Sequence, residues 1–417
     1  MTVQSLMNTT ASLCLPITGR APIDPRRSRR DFTGRNRKIL AAALWAGLLA
    51  VASSFAQDSP PKPQYKPARI EIIVYADFPQ DPKHWDTLAE FLVAKGITAV
   101  EERMDKLDVC RKHGLKVRLG GSEAFPHLAR LKDDPAVLAY YLGDNSEPKH
   151  YVGFAQMLRK MEEMDPNHPA LYIQTSDYGR LPKFVEMTRP MTINSHHYHW
   201  FKKGHLHFFY LKESRDLAQK YGSTQMRTLS SGVTPVQLRQ SLFCAVAYGV
   251  TDFHFWAPWL VGHKKEKDQP VLENGRLVPT ITAQGEAISA ASLDLKWIGP
   301  VIVKLRNEAV YHTGPMPPGA EKAPTEYWVQ PHGDSCLVSV FADNKENRYL
   351  MPVNHAIDRP RELALSFGKD VTGLEKMDRK TGEWKEVKLD TGNDRRRIVL
   401  TLAPGDGEFL RALPIQK

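Results

Sequence analysis

The chain is poor in cysteine, with four in 417 residues. Cys14 lies in the leading segment, so Cys110, Cys244 and Cys336 can form one disulfide at most. That excludes a disulfide-stapled scaffold, and their apolar neighbours make buried free thiols the expectation. No C-x-x-C or zinc-finger spacing occurs, and no H-E-x-x-H motif; no metal and no cofactor is expected. A bilayer span needs about 20 apolar residues, and the run at residues 39–52 (ILAAALWAGLLAVA) stops at 14. Basic charge is also scarcer than the formal +10 suggests. Residues 1–56 hold eight Arg/Lys against two Asp, a net of +6, which leaves +4 for the rest. Without a long Lys/Arg run behind residue 56, no nucleic-acid partner is implied.

What stands at the N-terminus is an export signal. Arg26, Arg27, Arg29, Arg30, Arg35, Arg37 and Lys38 form a basic region, the apolar run follows, and Ser54-Phe55-Ala56 offers small residues for cleavage before Gln57. Ser28-Arg29-Arg30-Asp31-Phe32 resembles the core of twin-arginine signals. An ordinary secretory signal with a long basic lead is the competing reading. Residues 1–56 are thus expected to be removed, leaving a periplasmic or secreted protein with no stable membrane span. Residues 57–67 (QDSPPKPQYKP) read as a Pro-rich linker.

From Ala68 short apolar runs alternate with amphipathic segments, the pattern of βα units. Eight strands are predicted at residues 69–75, 99–102, 116–120, 138–143, 171–175, 191–195, 225–229 and 252–256. Helices are predicted at 85–95, 152–164, 210–221 and 235–248, with Thr234 as N-cap and Pro235 at the start of the last. The fold class is α/β, a (β/α)8 TIM barrel over residues 68–305. A doubly wound open sheet competes, but it favours a Gly-rich loop after the first strand, and Ala76-Asp77-Phe78-Pro79 supplies none. From Ala309 short alternating strands, the first predicted at residues 325–330, succeed one another without helices, so residues 306–417 are expected to form a small all-β sandwich.

Several stretches carry a family likeness. Residues 107–117 (LDVCRKHGLKV) fit a helix running into a third strand, and residues 133–144 (DDPAVLAYYLGD) fit the entry to a fourth. Residues 237–256 fit a seventh helix leading into an aromatic eighth strand, and Pro404-Gly405 with Phe409-Leu410 fits the end of a terminal sandwich. In these features the chain resembles secreted (β/α)8 glycoside hydrolases of the large retaining clan related to β-galactosidases. The resemblance implies a carbohydrate substrate and a pair of carboxyl groups flanking the scissile bond. It also implies a general acid/base after strand four, commonly a Glu before Pro. Glu147 precedes Pro148, and Asp144 stands at the strand end, two residues further from that Glu than in the shorter family motif. The alternative for either residue is a helix cap. The family's second acid follows strand seven, but here Ser230-Ser231-Gly232 follows. Substitutes are Glu123 after strand three, Glu101, Glu102 and Asp105 after strand two, Asp77 after strand one and Asp177 after strand five. Glu123 is favoured because strands three and four are neighbours.

Aromatic faces stack on sugar rings, and His supplies donors and acceptors. His197, His199 and Trp200 after strand six, Trp256 and Trp259 at strand eight, and Asp77 are the candidate substrate-binding residues. Phe253 and Phe255 are expected to be barrel packing instead. The histidine cluster at 196–207 invites a metal, but no ligand motif supports one. Two functions remain: a glycoside hydrolase, or a catalytically incomplete barrel that binds carbohydrate. On the export signal, Arg29→Lys with Arg30→Lys is expected to stop export by the twin-arginine route. Unchanged appearance of the mature protein outside the cytoplasm would mean the ordinary secretory route.

Overall fold

The computed structural model describes residues 65–144, 146–175, 179–196, 207–230, 233–256, 261–262, 271–392 and 395–414. Eight parallel strands form in order along the chain: β1 (Glu71–Asp77), β2 (Ala99–Glu101), β3 (Lys116–Gly120), β4 (Val137–Asp144), β5 (Ala170–Thr175), β6 (Thr192–His196), β7 (Thr224–Ser230) and β8 (Asp252–Trp256). Each pairs with the next, and β8 returns to β1 with Ile73 opposite His254, so the sheet closes into a barrel. The strands are rich in Val, Ile, Leu and Phe because both faces of a closed parallel sheet are covered.

Alternate residues divide between two environments. Ile72, Val74, Val100, Val117, Leu119, Phe253 and Phe255 join the outer layer with helical residues such as Leu88, Leu158, Phe184, Leu211 and Leu242. Phe253 and Phe255 are fully buried there, as barrel packing rather than rim. Ile73, Ala99, Leu171 and Met226 form a separate, smaller cluster closed off by Tyr65. Below it, at the N-terminal ends of the strands, Glu71 is held by Lys116 Nζ at 2.9 Å and Arg69 Nε at 3.3 Å. The open chemistry of the barrel is thereby left to the other end.

The covering helices are α1 (Trp85–Ala94), α2 (Leu107–His113), α3 (Tyr151–Met164), α4 (Arg180–Thr188), α5 (His207–Tyr221), α6 (Pro235–Ala247) and α7 (Ala283–Leu295). Their ends obey local chemistry. Thr234 caps α6 in a capping box with Gln237 and Pro235 in the first turn. The short α2 ends on Gly114 at φ 73°, a left-handed conformation that favours glycine. No helix among the described residues is long and apolar enough to cross a membrane. Cys110, Cys244 and Cys336 are buried and free.

From Arg306 the chain forms two antiparallel sheets packed around their own core. One has six strands and the other four. Val338, Val340, Leu350, Leu363, Leu365 and Phe367 lie between them. The strand expected at residues 325–330 forms later, at Val329–Gly333, because it pairs with Arg361–Phe367 in a register that ends on Gly333 opposite Leu363. Barrel and sandwich belong to one compact unit, Gln64–Lys417.

The seam between them is polar as well as apolar. Gln240 Nε2 donates to the His355 carbonyl at 2.6 Å, Asn307 Nδ2 donates to the Ala247 carbonyl at 2.8 Å, and Trp297 Nε1 donates to the Lys380 carbonyl at 3.1 Å. Arg239 and Arg379 both reach Asp406, at 2.8 and 3.0 Å. Gly405, at φ +66°, lies so close to α6 that a Cβ there would meet Val236 O and Gln240 N at 2.8 Å. Inside the seam the Tyr248 hydroxyl lies 2.9 Å from His312 Nε2, and Phe208 packs edge-on against His312 and His355.

Burial pushes His312 down to about 3, with His355 adding to it, and burial pushes His355 down to about 4. Both folded-state values lie below the ordinary histidine value. Their contribution is therefore complete above about pH 6.5 and is lost as pH falls through the interval towards 4. The melting temperature is expected to fall between pH 7 and pH 4. In His312→Gln, which removes one of the two buried titrating groups, the fall should be smaller. An equal fall in both proteins would exclude the seam as its source.

Candidate active site

At the C-terminal ends of the strands the barrel interior turns polar. In-facing positions follow from the pairing register: Tyr75 opposite Glu101, Glu101 opposite Arg118, His196 opposite Thr228, and Thr228 opposite His254. Arg118 is the centre of this group. It is fully buried, and the Tyr141 ring covers its guanidinium at 4.6 Å. Its Nη2 makes an ion pair with Glu101 Oε2 and lies 3.0 Å from His254 Nε2. If His254 Nε2 accepts from that guanidinium, its proton resides on Nδ1, which faces Thr228 Oγ1 at 3.4 Å. Thr228 in turn donates to Asn194 Oδ1 at 3.1 Å. Five strands are thus tied together through side chains inside the barrel.

The electrostatics separate these groups into distinct states. Burial, followed by Arg118 and His196, holds His254 well below the ordinary histidine value, so the ring is neutral. Burial brings Arg118 down to about 10, while Tyr75, Tyr141 and Asp144 work in the opposite direction; at neutral pH the guanidinium stays charged. Tyr75 is pushed up to about 12, mainly by burial, and its ring meets His254 edge-on at 5.3 Å. Asp144 ends β4 and is exposed on one side, yet protein crowds its carboxyl on the other. This desolvation raises its pKa, with Arg118 pulling the other way. Among the described residues the Asp144 carboxyl has no hydrogen-bond partner. The backbone carbonyl of the same residue accepts from the Tyr172 hydroxyl at 2.6 Å, which fixes the strand end.

The other expected acids are placed elsewhere. Glu147 precedes the turn Pro148–His150 in the N-cap position, without a side-chain capping bond. Its side chain is 57% exposed and paired with Lys149 at 2.6 Å, which lowers its pKa. Glu123 sits in the short helix Gly121–Ala124 after β3 and accepts from the Met104 backbone N–H at 3.3 Å, facing the loop after β2 rather than Asp144. Glu102 accepts from the Arg103 N–H, and Asp105 pairs with Lys106. Asp77 and Trp256 end β1 and β8 at the same mouth. His197, His199, Trp200, Trp259 and Asp177 lie outside the described residues. Among the described residues, no group of three His, Cys, Asp or Glu is arranged to hold a metal ion.

Sequence reading passed over Arg118 and His254. Strand parity was the available signal: expecting Trp256 to meet sugar puts His254, two residues earlier, on the same face of β8. A charged residue in the middle of a buried strand, as in Lys116-Val117-Arg118-Leu119-Gly120, was the other.

No family model and no curated protein matches the chain. Solved structures with some likeness include a maltogenic α-amylase from Thermotoga neapolitana, at 9% identity and TM-score 0.43, covering 83% of this chain and 99% of that one. An α-L-arabinofuranosidase from Thermotoga maritima has 11% identity and TM-score 0.40, covering 85% and 98%. A β-L-arabinopyranosidase from Geobacillus stearothermophilus has 10% identity and TM-score 0.44, covering 84% and 98%. At such scores the likeness carries no argument, and the fold rests on the strand pairing itself.

Removing one partner of a buried ion pair leaves the other uncompensated and costs about 3–5 kcal/mol. Arg118→Met should therefore destabilise the protein by roughly that amount in denaturant unfolding. A loss below about 1 kcal/mol, the range of exposed pairs, would show that the buried guanidinium is not a structural centre.

Proposed function

We propose that this chain is an exported glycoside hydrolase that acts on poly- or oligosaccharide outside the cytoplasm, with Asp144 as its proton donor. One observation carries the reading. Asp144 stands at the C-terminal end of a barrel strand, the position from which catalytic residues of this fold act. Its carboxyl is desolvated, so its pKa is raised, and it has no hydrogen-bond partner among the described residues. A carboxyl that keeps its proton to higher pH is what protonation of a glycosidic oxygen requires. Glu147 is the weaker candidate, since Lys149 favours its ionised form. The family likeness at residues 133–144 supports the same strand, and the basic and apolar segments before residue 57 support export.

A second reading has its own support. Glu101 is engaged by Arg118 and Glu147 by Lys149, an arrangement also suited to a barrel that binds sugar without cleaving it. The test is hydrolysis of aryl glycosides and of plant and algal polysaccharides by the mature protein. Asp144→Asn should reduce kcat by about 10²–10⁴, the usual contribution of a general acid, while Glu147→Gln stays near wild type. The raised pKa fixes the sign of the pH dependence: kcat falls as pH rises through it, because the donor loses its proton. Binding of sugar by wild type and both variants without hydrolysis would favour the second reading.

A further inference from the structure

No acid follows strand seven in the sequence, Ser230-Ser231-Gly232 standing there, while glycoside cleavage uses two carboxyl groups. We infer that Glu101, at the end of β2, is the second carboxylate and acts as the nucleophile. This rests on the hydrolase reading above and departs from the strand-seven position that the resemblance implies. The ion pair from Arg118 falls on one oxygen, Oε2, and His254 holds the same guanidinium by accepting from Nη2 at 3.0 Å. Oε1 has no protein partner among the described residues, and the side chain keeps 16% exposure at the mouth of the barrel. One oxygen is anchored and the other is open. That is the disposition of a carboxylate held for attack, unlike Glu123, which accepts a backbone N–H from a neighbouring loop.

The anchor is rigid. Arg118 is fully buried on β3, the strand between β2 and β4, so it touches Glu101 on one side and influences Asp144 on the other. His254 is fixed from behind by Thr228 at 3.4 Å. Arg118 and His254 are positioning residues here. Among the described residues, Glu102 accepts from the Arg103 N–H and Asp105 pairs with Lys106.

In the first half of the reaction Glu101 Oε1 donates an electron pair to the anomeric carbon and forms an ester bond. The glycosidic C–O bond breaks, and its electron pair takes the proton of Asp144. In the second half Asp144, now a carboxylate, takes a proton from water. The water oxygen attacks the anomeric carbon, and Glu101 leaves with its electron pair. The anomeric configuration is retained.

The experiment uses the mature wild-type protein and the 2,4-dinitrophenyl 2-deoxy-2-fluoro glycoside of whichever sugar it releases from the hydrolysis panel. The fluorine slows both halves, and the good leaving group carries only the first, so a covalent intermediate accumulates. The expected result is stoichiometric inactivation, with one fluoroglycosyl mass on the peptide that contains Glu101. Glu101→Gln still offers a carbonyl to Arg118 but leaves the buried charge uncompensated, so it should melt below wild type, stay unlabelled and lose at least about 10³-fold in kcat. A label on another peptide overturns the inference. So does turnover with no label, and so does wild-type turnover in the Glu101→Gln variant; in these cases the hydrolase reading survives. Absence of turnover on every sugar removes that reading and the role of Glu101 together.

Discussion

A guanidinium with no exposure to water is the constraint around which the mouth of this barrel is organised. Burying a charge is costly unless a partner of opposite sign and hydrogen bonds replace the lost water. Arg118 meets that demand with Glu101 beneath the rim, a neutral His254, and the face of Tyr141. Each of these then depends on Arg118 in return. His254 must be neutral to sit beside a cation, and its burial among Thr228, Asn194 and Tyr75 makes it so. Glu101 is turned inward by its charge, which leaves its second oxygen facing the opening. Asp144 feels the same cation from the neighbouring strand, but desolvation is the larger effect on it. One buried charge thus lies between two carboxyl groups in different surroundings, Glu101 bound to it and Asp144 raised by desolvation against its pull.

The sandwich stiffens this arrangement from outside. α5, α6 and α7 carry the barrel's side of the seam, and α6 leads directly into β8 and His254. Backbone carbonyls of both parts are bonded across it by Gln240, Asn307 and Trp297. Interfaces of this kind, with close backbone approach at Gly405, a buried His312 and a partly buried His355, leave little room for the parts to rotate independently.

Much of the frame was legible beforehand. Runs such as residues 71–77 and 252–256 are short, apolar and separated by helical periodicity, so the (β/α)8 order follows from pattern alone. The cap at Thr234 and the packing role of Phe253 and Phe255 were equally readable, because capping and strand parity are local. The strand at Val329–Gly333 was misplaced because its limits depend on register with Arg361–Phe367, which is distant in the chain. The site was less legible. Asp144 was singled out by its place at the end of β4, where the structure leaves its carboxyl desolvated, whereas Glu147 drew attention through its neighbouring proline and faces solvent beside Lys149.

The sequence by itself determined the barrel, the sandwich after it, and the set of acids available at the strand ends. These depend on hydrophobic period and turn chemistry, which act over a few residues. Tertiary structure decided which acids share a site. A one-strand offset or a turn of two residues separates a carboxyl beside a buried guanidinium from one beside a surface lysine, and no local pattern encodes that difference. Glu101 meets Arg118 across the neighbouring strands β2 and β3, whereas His254, far away in the chain, reaches Arg118 only once β8 closes on β1.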